Sequence, residues 1–201
     1  MSAKLKRRDF ITLLGGAAAA WPLAAGAQQP ERMRRIGVLQ GGADRDDPRS
    51  QPNTDVLLQT LQQLGWTEGR NVKIDFRWPT GEADKARKYA AELVALAPDV
   101  IVAVSAPNLS LLLQATRTVP IVFVGVVDPV GAGFVNSLSR PGGNATGFVL
   151  FEYGLSAKWL ELLKEIAPSV TRAAVLRDPA ITSGIGQFAI IQYVASSVGG
   201  M

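Results

Sequence analysis

Two uninterrupted apolar runs constrain the fold of this chain more than any other feature. They are Asp99-Val-Ile-Val-Ala-Val104 and Pro120-Ile-Val-Phe-Val-Gly-Val126. Both are too short for helices and lack the polar alternation of a strand with one wet face. They read as strands buried on both faces, the pattern of a mainly parallel sheet covered by helices. The flanking segments supply those helices. Thr54 to Gly65 repeats Val56, Leu57, Leu61 and Leu64 at helical spacing and ends on a glycine suited to a helix stop. Ala83 to Leu96 puts Tyr89, Leu93 and Leu96 on one face, and Ser105 to Ala115 carries Pro107 in its first turn, where a missing N–H costs little. Ile36–Gln40, Val72–Trp78 and Ala145–Phe151 add three strands. In the second of these Val72, Ile74, Phe76 and Trp78 alternate with Lys73, Asp75 and Arg77.

Between these elements, Gly41 to Asn53 reads as a polar loop. Asp128-Pro129 reads as an N-cap and first helical residue opening a short helix through Leu138, and Arg140 to Asn144 as a turn. The fold class is therefore α/β: a doubly wound, parallel, five-stranded sheet over residues 33–151. Residues 152–201 read as a crossover followed by the start of a second lobe. There Trp159, Leu160, Leu163 and Ile166 stripe a helix from Ser156 to Ala167, Ala173–Arg177 is a sixth strand, and Gly186–Val198 a further helix. A lone α-β-α unit forms no sheet by itself, so this second lobe is incomplete and the chain is expected to be truncated within it.

The first 27 residues have a different character. Lys6-Arg7-Arg8-Asp9-Phe10 is a twin-arginine n-region, Ile11–Ala20 an apolar stretch, and Ala25-Gly26-Ala27 a small-x-small cleavage site. Together they predict an export signal removed after Ala27, and a periplasmic location. The apolar run is short for a membrane span, and Pro22 stands just past its end. This segment holds +3 of the chain's formal charge of +4. The remainder is nearly neutral and carries no nucleic-acid footprint.

Cysteine and histidine are both absent. That excludes disulfides, thiol nucleophiles and iron–sulfur ligation, and removes the commonest general base and metal ligand. There is no Walker loop, and Gly41-Gly42 does not complete a dinucleotide fingerprint. Asp44, Asp46 and Asp47 lack the glycine and distal glutamate of a calcium loop. No cofactor, metal or catalytic residue is expected, and the chain is not read as an enzyme.

Seven motifs in order carry a resemblance: Arg35-Ile-Gly-Val-Leu39, Leu64-Gly-Trp-Thr-Glu-Gly-Arg-Asn71, Ala90-Ala-Glu-Leu-Val94, Pro98-Asp-Val-Ile101, Thr118-Val-Pro-Ile-Val-Phe123, Asp128-Pro-Val-Gly-Ala-Gly-Phe134 and Arg140-Pro-Gly-Gly-Asn-Ala-Thr-Gly147. Over residues 33–180 the chain resembles substrate-binding proteins of ABC transporters, in the family that includes tryptophan- and tyrosine-binding members. The resemblance implies a type I periplasmic binding fold, with a small amino-acid-like or related polar solute held between two lobes and delivered to an inner-membrane permease. It also implies that the missing part of the second lobe impairs binding. A secreted α/β enzyme built on carboxylates, Lys, Ser or Tyr, and a non-functional gene remnant, are the alternatives.

For strand order 2-1-3-4-5, the order reverses between the first and third strands, and ligands bind beyond the strand ends there. The candidate ligand-binding residues at that point are Gly41 and Gly42 after the first strand and Ser105, Ala106, Pro107 and Asn108 after the third. Ser105 opens a helix whose free N–H groups suit a carboxylate, although capping would use the same groups. Val127 and Asp128 after the fourth strand form the next wall, with Asp128 facing an ammonium or capping a helix. Phe151 and Tyr153 after the fifth stack on a flat ligand or pack in the hinge. Arg177 and Asp178 face the cleft from the second lobe.

Overall fold

Each apolar run finds a strand on either side. In the computed structural model, which describes residues 32–42, 44, 46–48, 51–178 and 181–197, five strands form one sheet: β1 (Arg34–Leu39), β2 (Val72–Arg77), β3 (Val100–Val104), β4 (Ile121–Val126) and β5 (Ala145–Val149). All pairings are parallel and the order is β2-β1-β3-β4-β5. Val38 sits opposite both Phe76 and Val102, so the alternation along each strand stays in phase across the sheet.

One face of the sheet carries the core. Leu39, Ile101, Ala103, Ile121, Phe123 and Ala145 point to it and are buried with Leu93 of α2 (Ala83–Ala95) and with Leu109 and Leu112 of α3 (Ala106–Ala115). Gly37 belongs to the same face, where a Cβ would press on Leu93 and Ile101. The opposite face is covered unevenly. Helix α1 (Gln51–Gln63) buries none of its residues and leaves a cavity of about 350 Å³ against Ile74 and Phe76. Farther along that face Val124, Phe148 and Leu150 are exposed, Phe148 at 72%.

The chain leaves β5 through a crossover into α4 (Leu155–Ile166), and α5 (Thr182–Ala195) packs beside it. Three expectations are corrected here. Helix α1 starts at Gln51, inside the segment read as a loop: Pro52 stands in its first turn, where a missing N–H costs little. Residues 129–138 form turns instead of a helix. Ala132 N donates to Asp128 O, but Gly133 lies at φ +74° and ends the helical run after one turn. Ala173–Arg177 is exposed and is no strand, since among the described residues nothing pairs with it; a ladder needs a partner as well as a propensity. The residues read as an export signal, and Val198 at the end of the last helix, lie outside the described residues. Among the described residues no helix is long and apolar enough to cross a membrane.

Candidate functional site

Beyond the carboxyl ends of β1, β2 and β3, at the point where strand order reverses, lies a cavity of about 510 Å³. That size suits a small ligand. Six of the sequence-predicted residues line it together: Gly41, Gly42, Ser105, Ala106, Pro107 and Asn108.

The local structure explains why these residue types meet there. A Cβ at Gly41 would lie 2.9 Å from Val104 O and 3.0 Å from Ser105 Oγ, so the β1 loop runs against the start of α3 with only a hydrogen between them. Asn108 is 3% exposed and staples this contact. Its Nδ2 donates to Gln40 O at 2.7 Å, to Val104 O at 2.9 Å and, at 3.4 Å, to Leu39 O. Asn108 therefore holds the two loops together with its amide, which is engaged in the protein.

Ser105 is the most unusual residue of the cavity wall. Its backbone lies at φ +83°, ψ +157°, a conformation costly for any residue with a Cβ, and its hydroxyl makes no cap bond to α3. The backbone holds it there: Ser105 N donates to Val124 O at 3.0 Å, and Leu109 N donates to Ser105 O at 3.1 Å. Capping thus does not account for the hydroxyl, and strain of this kind, of order 1–3 kcal/mol, collects at ligand sites.

A second helix start reaches the same cavity. Glu82, Ala83, Ala86 and Arg87 of the β2–α2 connection and α2 are lining residues, as is Pro79. Glu82 makes no side-chain cap bond either. Two helix N-termini without side-chain caps therefore converge on one space, and their dipoles favour an anion. Arg87 adds a cation, paired with Asp84 at 3.3 Å; Asp178 and Glu82 supply carboxylates. Pro79, Glu82, Arg87 and Ile181 lie outside the set read from the sequence. The available signal was Gly81, at φ +82°, just past the end of the strand that neighbours β1.

The other four predicted residues do not line the cavity. Asp128, at φ +38°, accepts Gly131 N–H on Oδ1 at 2.8 Å, and its own N–H donates to Phe151 O at 3.0 Å. Its Oδ1 closes a turn. Val127 is half-buried beside it. Phe151 packs edge-on to Trp159, centroids 5.8 Å apart. Tyr153 is wedged where neither Gly131 nor Gly186 has room for a Cβ. Burial raises its phenol pKa above the ordinary value of 10.0, and the charge of Asp128 raises it further. These residues make the joint between β5 and α4. Of the pair expected from the second lobe, Asp178 reaches the cavity, whereas Arg177 lies over the Phe188 ring at 5.2 Å. No group of three or more acidic side chains among the described residues is arranged to hold a metal ion, Asp44, Asp46 and Asp47 included.

Known proteins share both sequence and geometry. The family model for ABC transporter substrate binding proteins matches residues 48–199. A tyrosine-binding protein of Clostridioides difficile (strain R20291) is 34% identical over 120 residues, which are 60% of this chain and 34% of that protein. The crystal structure of a conserved domain protein from Vibrio cholerae superposes with a TM-score of 0.74 at 31% identity, covering 84% of this chain and 55% of that one. A Streptococcus pneumonia domain solved in complex with L-Trp gives 0.70 at 27% identity, again over 84% of this chain and 55% of the other. The chain thus spans about half the length of these solved relatives.

Proposed function

Because this chain belongs to the ABC transporter substrate-binding protein family, with one type I periplasmic-binding lobe formed, we propose that it is an exported binding component of an importer that holds a small amino-acid-like solute. The observation that carries this reading is the cavity where the starts of α2 and α3 converge beside a strained Ser105. A ligand carboxylate sits against the α3 start and the Ser105 hydroxyl, and its ammonium faces Asp178 and Glu82. Relatives described as tyrosine-binding and as bound to L-Trp support a zwitterionic amino acid as the class. Binding here is noncovalent; the absence of histidine and cysteine supports a role without catalysis. The partner is an inner-membrane ABC permease. The location is the periplasm, reached through the twin-arginine segment at Arg7-Arg8 and cleavage after Ala27.

Among the described residues a single sheet, that of the first lobe, faces the cavity. Thermal unfolding with millimolar L-tryptophan, L-tyrosine and L-leucine tests this reading. A bound amino acid at 100 times its Kd raises stability by about 2.7 kcal/mol. Ser105→Gly relieves the backbone strain, and is expected to raise the melting temperature of the free protein while reducing the ligand-induced rise. No shift with any amino acid, or an unchanged shift in Ser105→Gly, refutes the proposed site. Retention of an Arg7→Lys/Arg8→Lys precursor in the cytoplasm, with release of the parent to the periplasm, tests the export route.

A further inference from the structure

The cavity at the strand reversal does not stop at the helix starts. Ala83, Ala86 and Arg87 of α2 line it, and so do Pro107, Ser110 and Leu111 of α3. Each set has the spacing i, i+3, i+4, which is one face of one helix. The two helices pack side by side. The cavity therefore continues between them as a slot for one helical turn, about 5.4 Å.

Aliphatic groups of Ala83, Ala86, Pro107 and Leu111 wall the slot, and its two polar members are both placed to donate. The Arg87 guanidinium has no acceptor atom. Its Nη2 donates to Asp84 at 3.3 Å, and its other N–H groups make no hydrogen bond among the described residues. The Ser110 hydroxyl accepts from Gln114 Nε2 at 3.2 Å, while its own O–H has no acceptor among the described residues. An aliphatic passage that ends on two donors matches a chain of carbons that ends on an oxygen acceptor. An ammonium end would meet a like charge at Arg87, and an aliphatic end would leave both donors to water. Ser105 and the helix starts stand at the mouth, so a ligand whose carboxylate sits there directs its side chain inward.

We propose that the slot between α2 and α3 takes the side chain of the bound amino acid, and that Arg87 and Ser110 set specificity for a side chain ending in an oxygen acceptor. A carboxamide and a phenol both present that chemistry. The proposal rests on the amino-acid reading of the cavity and adds the selection made at its inner end.

Titration calorimetry of the chain with two matched pairs tests this: L-glutamine against L-norleucine, and L-tyrosine against L-phenylalanine. In one pair the oxygen-bearing member is expected to bind about tenfold more tightly, and which pair shows it tells whether an aliphatic amide or a phenol reaches the donors. Arg87→Met keeps the aliphatic stem, removes the guanidinium donors and is expected to abolish that preference; Ser110→Ala reduces it. The Arg87 side chain is 65% exposed, so its replacement leaves the core alone. L-Lysine is expected to bind more weakly than L-norleucine, and Arg87→Glu to reverse that order. Equal affinities within both pairs overturn the proposal, and so does a preference that survives in Arg87→Met. Amino acids that bind without such discrimination sink the slot alone and leave the reading at Ser105 standing; no binding of any of the five sinks both.

Discussion

Val100–Val104 and Ala173–Arg177 are similar segments in different company. Both are short and apolar, and each follows a helix. The first lies between β1 and β4, with Ile101 and Ala103 wholly buried; the second pairs with no strand among the described residues, and its Leu176 is fully exposed. The difference does not lie in local propensity. A strand exists where neighbouring strands take up its backbone groups, and burial follows from that. The same contrast separates the two faces of the sheet. Phe123 and Phe148 sit on adjacent strands, one beneath α2 and α3 and 1% exposed, the other on the unevenly covered face and 72% exposed.

The contrast can be broken most severely at Gly147. It pairs with Phe123 across β4 and β5, and a Cβ there would collide with the Phe123 carbonyl oxygen and ring. Gly147→Val is expected to cost more than about 4 kcal/mol and to abolish cooperative urea unfolding, because backbone cannot give way as a side chain can. Next in size is a matched pair of truncations. Leu109→Ala, in the buried core, is expected to cost about 2–5 kcal/mol, whereas Leu176→Ala stays within about 0.5 kcal/mol. Equal losses in denaturant titrations would mean that the 173–177 segment is packed in solution and that the two regions do not differ.

The covered half of the molecule was legible because its signals are redundant. Apolar runs, amphipathic spacing and turn residues agree from Arg34 to Val149, and the strand order then fixes where a ligand sits. Gly41, Gly42 and Ser105 to Asn108 were legible for that reason: they come directly after the two strands that flank the reversal. The β2–α2 contribution was not, because Glu82 and Arg87 read as ordinary charges of an exposed helix start until the sheet brings that start beside Ser105. Asp128 misled for another reason. An Asp-Pro pair announces a helix, yet Gly131 and Gly133 come next, and the carboxylate spends itself on the Gly131 N–H. Tyr153 carried no sequence sign of its seat, which two glycines 55 residues apart create.

Smaller effects sharpen the comparison around the site itself. Asn108→Ala removes the donor that serves the Gln40 and Val104 carbonyls and leaves them without that partner in a mostly buried place. A loss of about 1–3 kcal/mol is expected, together with weaker ligand binding as the β1 loop releases from α3. A stability loss with unchanged binding would show that the staple supports the core and not the cavity.

The smallest expected effect concerns pH and separates the joint from the lobe it joins. Burial, and then the Asp128 charge, raise the Tyr153 pKa above its ordinary value of 10.0. The folded state therefore keeps this proton longer than the unfolded state does. Below pH 10 the phenol is neutral in both states and the contribution is fully present. As pH rises through the unfolded value and on toward the raised folded one, the unfolded state ionises first and stability declines. Tyr153→Phe removes that titration while keeping the ring beside Gly131 and Gly186. Its unfolding free energy is expected to fall less steeply than the parent's above pH 10, with the two curves parallel from pH 7 to 9. Parallel curves throughout the alkaline range would mean that Tyr153 titrates alike in the folded and unfolded chain, and so that the joint is open to solvent rather than seated between the two glycines.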